Sequence, residues 1–261
     1  MSQRLLNKVA VITGGGSGIG QAMCLRFAAE GAKVAILDMS QDACDATTAL
    51  CEDSENGAGN SKGYVCNVTD QAGMNAIFDQ IKADLGEIDI VVNNAGIAHV
   101  GNVENTTEAD MDRLFAVNVK GVYNGCQAAV KHMKGRGGCI LNLASVASTV
   151  GISDRFAYSM TKGAVLTMTL SLATDYVKEG IRCNSIAPGR VHTPFVDAFI
   201  ADNYPGEEDE WFKKLAASQP IGRMGQPSEI ASICVFLCSD EASFITGSNY
   251  AIDGGFVSIK V

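Results

Sequence analysis

A phenol and an ammonium stand four residues apart in "DRFAYSMTKGAV", at Tyr158 and Lys162. Phe156, Ala157, Met160, Ala164 and Val165 give this segment the apolar surface of a buried helix, on which residues i and i+4 share one face. The two polar ends can therefore reach a common place. A free phenol, with a pKa of about 10, is a poor base near neutrality, and a nearby cation can lower that value by about 1 to 3. The pair reads as a general acid and base acting on a hydroxyl or carbonyl oxygen. Ser145 closes the strand-like run "CILNLAS", so its hydroxyl can face the same oxygen; alone, it is equally an ordinary turn serine. Arg155 lies one turn before the tyrosine. Its planar fork suits a carboxylate, and the competing role is a salt bridge with Asp154, Asp197 or a neighbouring subunit.

A second feature has a different chemistry. "TGGGSGIG", from Thr13 to Gly20, follows the apolar run "KVAVIT" and opens a helical pattern. Backbone amides at a helix start, with no Cβ in the way, let a pyrophosphate approach closely. The next strand ends at Asp38, where a carboxylate can take both ribose hydroxyls of an adenosine and repel a 2′-phosphate. Met39, Ser40 and Gln41 follow it, with no arginine or lysine to balance that phosphate, so the expected cofactor is NAD. Asp38 can also cap the next helix.

These residues need elements to position them. Strand-like runs are "KVAVIT", "KVAILD", "GYVCNV", "DIVVNNAG", "CILNLAS", "IRCNSIAP" and "NYAIDGG". Their continuous apolar character suits a sheet covered on both faces. Helical patterns fall between them: 21–30, 71–85, 107–133, 157–178 and 227–238. Thr107 with Asp110 resembles an N-cap pair, and Gly31 and Gly180 sit just past helix ends. Strand–helix–strand repetition with right-handed crossovers predicts one α/β domain, residues 1–261, built on a doubly wound parallel sheet. One segment breaks the rhythm, about 190–225, with three prolines and the acidic run Glu207–Glu210. It follows a strand end, where ligands bind, so it reads as a substrate-binding lid with helical pieces at 195–201 and 209–217; the acidic run itself reads as a solvated face.

Composition narrows the class. The chain has 261 residues, 47% of them hydrophobic, and a net charge of -9, which disfavours nucleic acid. No apolar run approaches membrane-spanning length, and the early first strand leaves no room for a signal peptide. Nine scattered cysteines without a CxxC pair read as reduced, buried thiols in a cytoplasmic protein. No metal site is expected, because none of the three histidines has zinc-like spacing to a cysteine.

In order along the chain, the spaced glycines, "NNAG" at Asn93–Gly96, Asn118 in "FAVNVKG", Ser145, Tyr158-x-x-x-Lys162, "PGRVHTP" and "IDGGF" resemble the short-chain dehydrogenases/reductases over essentially the whole length. The resemblance implies a Rossmann-type seven-stranded sheet with helices on both faces, a nicotinamide cofactor, hydride transfer and usually a homotetramer. It implies a catalytic group of Asn118, Ser145, Tyr158 and Lys162, with Lys162 also on the nicotinamide ribose and Asn118 orienting a water. Without the resemblance, Asn118 is a mid-helix polar residue making a local bond. Implied cofactor contacts are Gly14, Ser17, Gly18, Ile19, Gly20, Asp38, Asn67, Val68, Asn93, Asn94, Ala95, Gly96, Pro188, Gly189, Val191 and Thr193. The chain departs from the pattern at Asn67, where Asp is usual; its amide oxygen can still accept from an adenine amino group. Arg155, Arg190 and His192 join Ser145 and Tyr158 as expected substrate contacts, His192 and His99 as polar lining without proton duty. The segment containing Tyr158 and "IRCNSIAPGRVHTPFV" is similar to dehydrogenases of 2-keto-3-deoxy-L-sugar acids such as fuconate or rhamnonate, and to cytosolic 3-hydroxybutyrate dehydrogenases. Both imply a small hydroxy acid. A neutral alcohol, ketone or steroid would want a more apolar lid, for which Phe195, Phe199, Trp211 and Phe212 are available.

Overall fold

Residues alternating along each inner strand are buried on both sides, and this dictates a layered arrangement. In the computed structural model, which describes residues 3–53 and 60–260, the strands are β1 (Val9–Thr13), β2 (Lys33–Asp38), β3 (Ser61–Val65), β4 (Ile88–Asn93), β5 (Gly138–Leu143), β6 (Ile181–Pro188) and β7 (Asn249–Ile252). They form one parallel sheet in the order β3-β2-β1-β4-β5-β6-β7. Ala10, Ile12, Val34 and Ile36 face one layer, with Met23 and Phe27 of α1 (Gly18–Ala29) and with α9 (Pro227–Cys238). Val9, Val11, Ala35 and Val91 face the other. There they meet Met74 and Phe78 of α3 (Gln71–Leu85), Ala128 and Ala129 of α5 (Gly121–Met133) and Val165 of α6 (Phe156–Tyr176). Phe27 and Phe78 are wholly buried, so cutting either to Ala would cost about 3–5 kcal/mol.

Strand order reverses between β1 and β4. In open parallel sheets the crevice beyond the strand ends at such a point receives ligands. The register brings Thr13 beside Leu37, Asp38 beside Val65 and Asn93 beside Asn142, so the glycine turn, the acidic strand end and "NNAG" rise on one edge.

Several predicted strands end early. "GYVCNV" stops at Val65, "DIVVNNAG" at Asn93, "CILNLAS" at Leu143 and "NYAIDGG" at Ile252; their polar and glycine-rich tails form the loops of the crevice. Thr107 and Asp110 make the expected capping box on α4 (Glu108–Leu114). The predicted long helix does not run straight on, because a π-helical turn, Phe115–Lys120, separates α4 from α5. A helix the pattern did not single out, α2 (Gln41–Glu52), follows β2. The lid contains α7 (Pro194–Asn203) and α8 (Glu208–Ala217), close to the predicted pieces. Its neck is closed by backbone bonds from His192 to Gly225 and from Gly225 to Arg190. Nine buried cysteines carry no disulfide among the described residues, and no described helix is long and apolar enough to cross a membrane. Ala231, Cys234, Val235 and Leu237 of α9 pack into the core shared with α1.

Candidate active site

The glycine turn is built for a close approach. Gly14 has φ +64°, and a Cβ on Gly20 would stand 1.9 Å from the Gly14 carbonyl oxygen. Ser17 caps α1 with extended backbone but no side-chain hydrogen bond, so the first amides of that helix remain available to an anion. Asn94 fastens the turn from the neighbouring strand, its Nδ2 donating to the Thr13 and Gly14 carbonyls at 2.9 and 3.0 Å. Thr13 Oγ1 accepts from the amides of Asn94 and Ala95. Asp38 Oδ2 accepts from the Gly16 amide at 3.0 Å, joining the acidic strand end to the same turn. The helix cap that Asp38 could have supplied comes from Ser40, which accepts from Ala43. This donor set and the space left by the missing Cβ atoms fit a dinucleotide with its adenosine at Asp38.

Two cofactor-side expectations change. Asn93 is buried, and its side chain points into the sheet, donating to Asn142 Oδ1 at 2.8 Å and contacting Cys126 Sγ. It supports the crevice floor and does not present its amide to the crevice. Asn67 is exposed, yet its amide oxygen accepts from the Thr69 amide and hydroxyl at 3.0 and 2.9 Å, so an adenine amino group would compete with that turn. Val68 lies under the same loop, its carbonyl accepting from Asn124.

A cavity of about 600 Å³ opens beside the turn, with Ser145, Tyr158 and Lys162 on its wall. Ile19, Asn94, Gly96, Pro188, Gly189, Val191 and Thr193 also border it. Lys162 is buried and donates to the Leu143 carbonyl at 2.7 Å, its Nζ 5.8 Å from the centre of the Tyr158 ring. Burial pulls the ammonium down to about 8. Ser145 caps the short turn that follows it and accepts from the Ala147 amide, leaving its own hydroxyl proton to donate. Asn118 sits in the π-helical turn, far from any local bond. Its Oδ1 accepts from the Ile97 amide at 2.8 Å, and its Nδ2 donates to the Ile97 carbonyl and to Thr161 Oγ1. Thr161 in turn donates to the Tyr158 carbonyl at 2.8 Å. Thr161 was not singled out from sequence; only its place beside Lys162 could have flagged it.

The Tyr158 phenol is shifted chiefly by its burial. Burial raises the phenol above its ordinary value, against a hydrogen bond from Ser145 and the charge of Arg155, which both pull it down. The charge of Arg155 acts on the phenol, and the Lys162 ammonium, bonded to the Leu143 carbonyl, keeps two further N–H groups.

Arg155 is held by both of its neighbours. Asp154 takes a left-handed φ of +55°, and the strand-like bridge between Gly101 and Arg155 pins the loop after β4 to the start of α6. Arg155 Nη1 donates to the His99 carbonyl, and the guanidinium lies 5.7 Å from the centre of the Phe199 ring in the lid. The salt bridges that sequence left open, to Asp154 or Asp197, do not form. Asp197 pairs with His192 at 2.8 Å. His192, expected among the substrate contacts, is thereby turned out of the cavity wall and packs edge-on against Phe212. Arg190 does border the cavity, its Nε donating to Ser218 Oγ at 2.8 Å. His99, Phe195 and Phe199 line it as expected of polar and apolar walls; Trp211 and Phe212 do not. Leu215, Gln219 and Met224, which carried no sequence signal, also border it, as does Phe256 at the end of "IDGGF".

A family described as enoyl-(acyl carrier protein) reductase matches residues 14–257. The 2-(S)-hydroxypropyl-CoM dehydrogenase 3 of Xanthobacter autotrophicus is 38% identical over 99% of this chain and 100% of its own. The chain belongs to the short-chain dehydrogenase/reductase family. This short-chain dehydrogenase/reductase is also 38% identical, over 97% of its length and 81% of the relative's, to the 2-keto-3-deoxy-L-fuconate dehydrogenase of Xanthomonas campestris. Crystalline levodione reductase superposes with a TM-score of 0.94 at 34% identity, covering 98% of this chain and 100% of the other. As a short-chain dehydrogenase/reductase it is an oxidoreductase that works on secondary alcohols with a nicotinamide cofactor.

Proposed function

We propose that the enzyme uses NAD to oxidise a secondary alcohol on a small hydroxy acid, of the 2-keto-3-deoxy-L-sugar-acid type. The observation that carries this reading is Arg155, half-buried on the wall of the cavity that holds Tyr158 and in no salt bridge among the described residues, with Asp154 acting on it only through its charge. A guanidinium taken from water without a counter-charge is costly, and a substrate carboxylate would supply one through two parallel hydrogen bonds. The relative named for 2-keto-3-deoxy-L-fuconate supports the same class. Similarity to 3-hydroxybutyrate dehydrogenases keeps that shorter acid as the alternative within it.

The protein's part in the chemistry follows from its own groups. When bound, the nicotinamide would supply the hydride chemistry at the end of the cavity bordered by Pro188, Gly189, Val191 and Thr193. Tyr158 takes the hydroxyl proton on oxidation and gives it back on reduction, and Ser145 donates to the same oxygen. The Lys162 ammonium has two N–H groups beyond the one on Leu143, suited to ribose hydroxyls and to stabilising a phenolate. Asn118, locked by Ile97 and Thr161, holds the segment beside Lys162. Gly14, Ser17, Gly18 and Gly20 would take the pyrophosphate, Asp38 the adenosine ribose, and Pro188, Gly189, Val191 and Thr193 the nicotinamide end. Asp38 supports NAD over NADP because its carboxylate would face the extra phosphate.

Phe115, Tyr123, Phe156, Met160 and Leu170 expose apolar side chains around α5 and α6, which supports a homo-oligomer, a tetramer on the family pattern. The apolar walls from Phe195, Phe199, Leu215 and Met224 favour a second reading, a neutral ketone or alcohol as substrate. Following NAD reduction with sugar acids, 3-hydroxybutyrate and matched neutral sugars decides between them. Faster turnover of the acids, lost in Arg155→Met, is expected; equal turnover of acid and neutral partner would reject the hydroxy-acid reading.

A further inference from the structure

The charges around the cavity do not balance. Three cations, Arg155, Lys162 and Arg190, border it, and no aspartate or glutamate does among the described residues. Lys162 is committed to Leu143 and, when the cofactor is bound, to the ribose. That leaves two guanidiniums. Arg155 spends one N–H on the His99 carbonyl, and Arg190 spends its Nε–H on Ser218. Neither forms an ion pair within the described residues. Each arginine has five N–H donors, so four on each are left over. Burial lowers the proton affinity of both groups, and the charge of Arg155 lowers that of Arg190 further. Two like charges placed together in an apolar-walled space repel, and a single monocarboxylate would neutralise only half of the charge.

We propose that the substrate is a dianion, with two negative charges held between Arg155 and Arg190. This rests on the hydroxy-acid reading and goes beyond its sugar-acid and 3-hydroxybutyrate examples, which carry one carboxylate each: the hydroxy acid has a second carboxylate or a phosphate group. Either form presents several oxygens to two forks, which matches the eight remaining donors. The cavity volume, about 600 Å³, accommodates a small molecule of this kind beside the nicotinamide end.

Calorimetric titration of the NAD-loaded protein tests this without knowing the substrate. The probes are acetamide, acetate, malonate and inorganic phosphate at a pH where the last two are largely dianionic. Malonate or phosphate is expected to bind about tenfold or more tighter than acetate, and which of the two binds better separates a second carboxylate from a phosphate. In Arg190→Met the gap over acetate closes, while acetate keeps its affinity. Malonate and phosphate no tighter than acetate in the wild type would overturn the proposal, whether or not the variants fold. If acetate still exceeds acetamide, the hydroxy-acid reading survives that failure; if it does not, both fall. Arg190→Met weakening NAD and leaving malonate unchanged would also overturn it, by giving Arg190 to the cofactor.

Discussion

The ammonium of Lys162, in the second turn of α6, donates at 2.7 Å to the carbonyl oxygen of Leu143 at the end of β5. This bond fixes a buried charge that the fold would otherwise disfavour, and burial still draws it down to about 8. Stability and function are opposed here, because the charge is useful only where it is expensive to hold.

Lys162→Met is expected to reduce turnover about 100-fold or more with no loss of melting temperature at pH 7. The sign for wild type follows from linkage. The folded pKa lies below the unfolded value near 10.4, so the unfolded chain binds more protons between about 8 and 10.4, and this group's contribution to stability rises with pH across that window. Denaturant melts of both proteins at pH 7 and 10 check it. The variant's advantage should shrink at the higher pH; an advantage that grows would contradict the assignment.

Activity should follow pH in opposite senses for the two directions. Burial holds the Tyr158 phenol protonated well past neutrality, which suits giving a proton to a ketone. The specificity constant kcat/KM for reduction is therefore expected to stay level through pH 7 and to fall above about 8, as Lys162 loses its charge. Oxidation, which needs the phenolate, is expected to rise from pH 6 to 8. Parallel profiles in both directions would count against Tyr158 as the shared acid and base.

Thr161 is predicted to position Asn118. Its single hydroxyl proton goes to the Tyr158 carbonyl, so the oxygen can only accept from Asn118 Nδ2, which fixes the amide's orientation. Thr161→Val strands a buried donor and should cost about 1–3 kcal/mol of stability. It should also lower kcat about tenfold with KM for the alcohol unchanged, and Thr161→Ser should restore both. Loss of stability alone, with kcat intact, would make Thr161 purely structural.

Much of this was legible in the sequence because the chemistry depends on short spacings. Tyr158 and Lys162 share a helix face by periodicity alone, and the glycines of residues 14–20 need no tertiary knowledge to suggest an anion cradle. What the sequence hid were choices of side-chain partner, near and far along the chain. His192 was taken by Asp197, five residues on, and Asn93 by Asn142 on the next strand. The π-helical turn at Asn118 has no periodic signature, since it adds a residue per turn to an otherwise regular helix. The cavity walls at Leu215 and Met224 depend on how the lid folds back, and apolar residues there look the same whether they face core or substrate.

Asp38→Ala should remove the carboxylate that would meet a 2′-phosphate. The ratio of kcat/KM for NAD to that for NADP is expected to fall about tenfold or more, read by initial rates with either cofactor. An unchanged ratio would show that discrimination lies elsewhere on the glycine turn.

The most direct test of the central claim is turnover by Tyr158→Phe. That change removes one oxygen and keeps the ring packed beside Lys162. The account predicts a fall in kcat of about 100-fold or more for NAD reduction, with NAD affinity by titration unchanged. Turnover within a few-fold of wild type would contradict it.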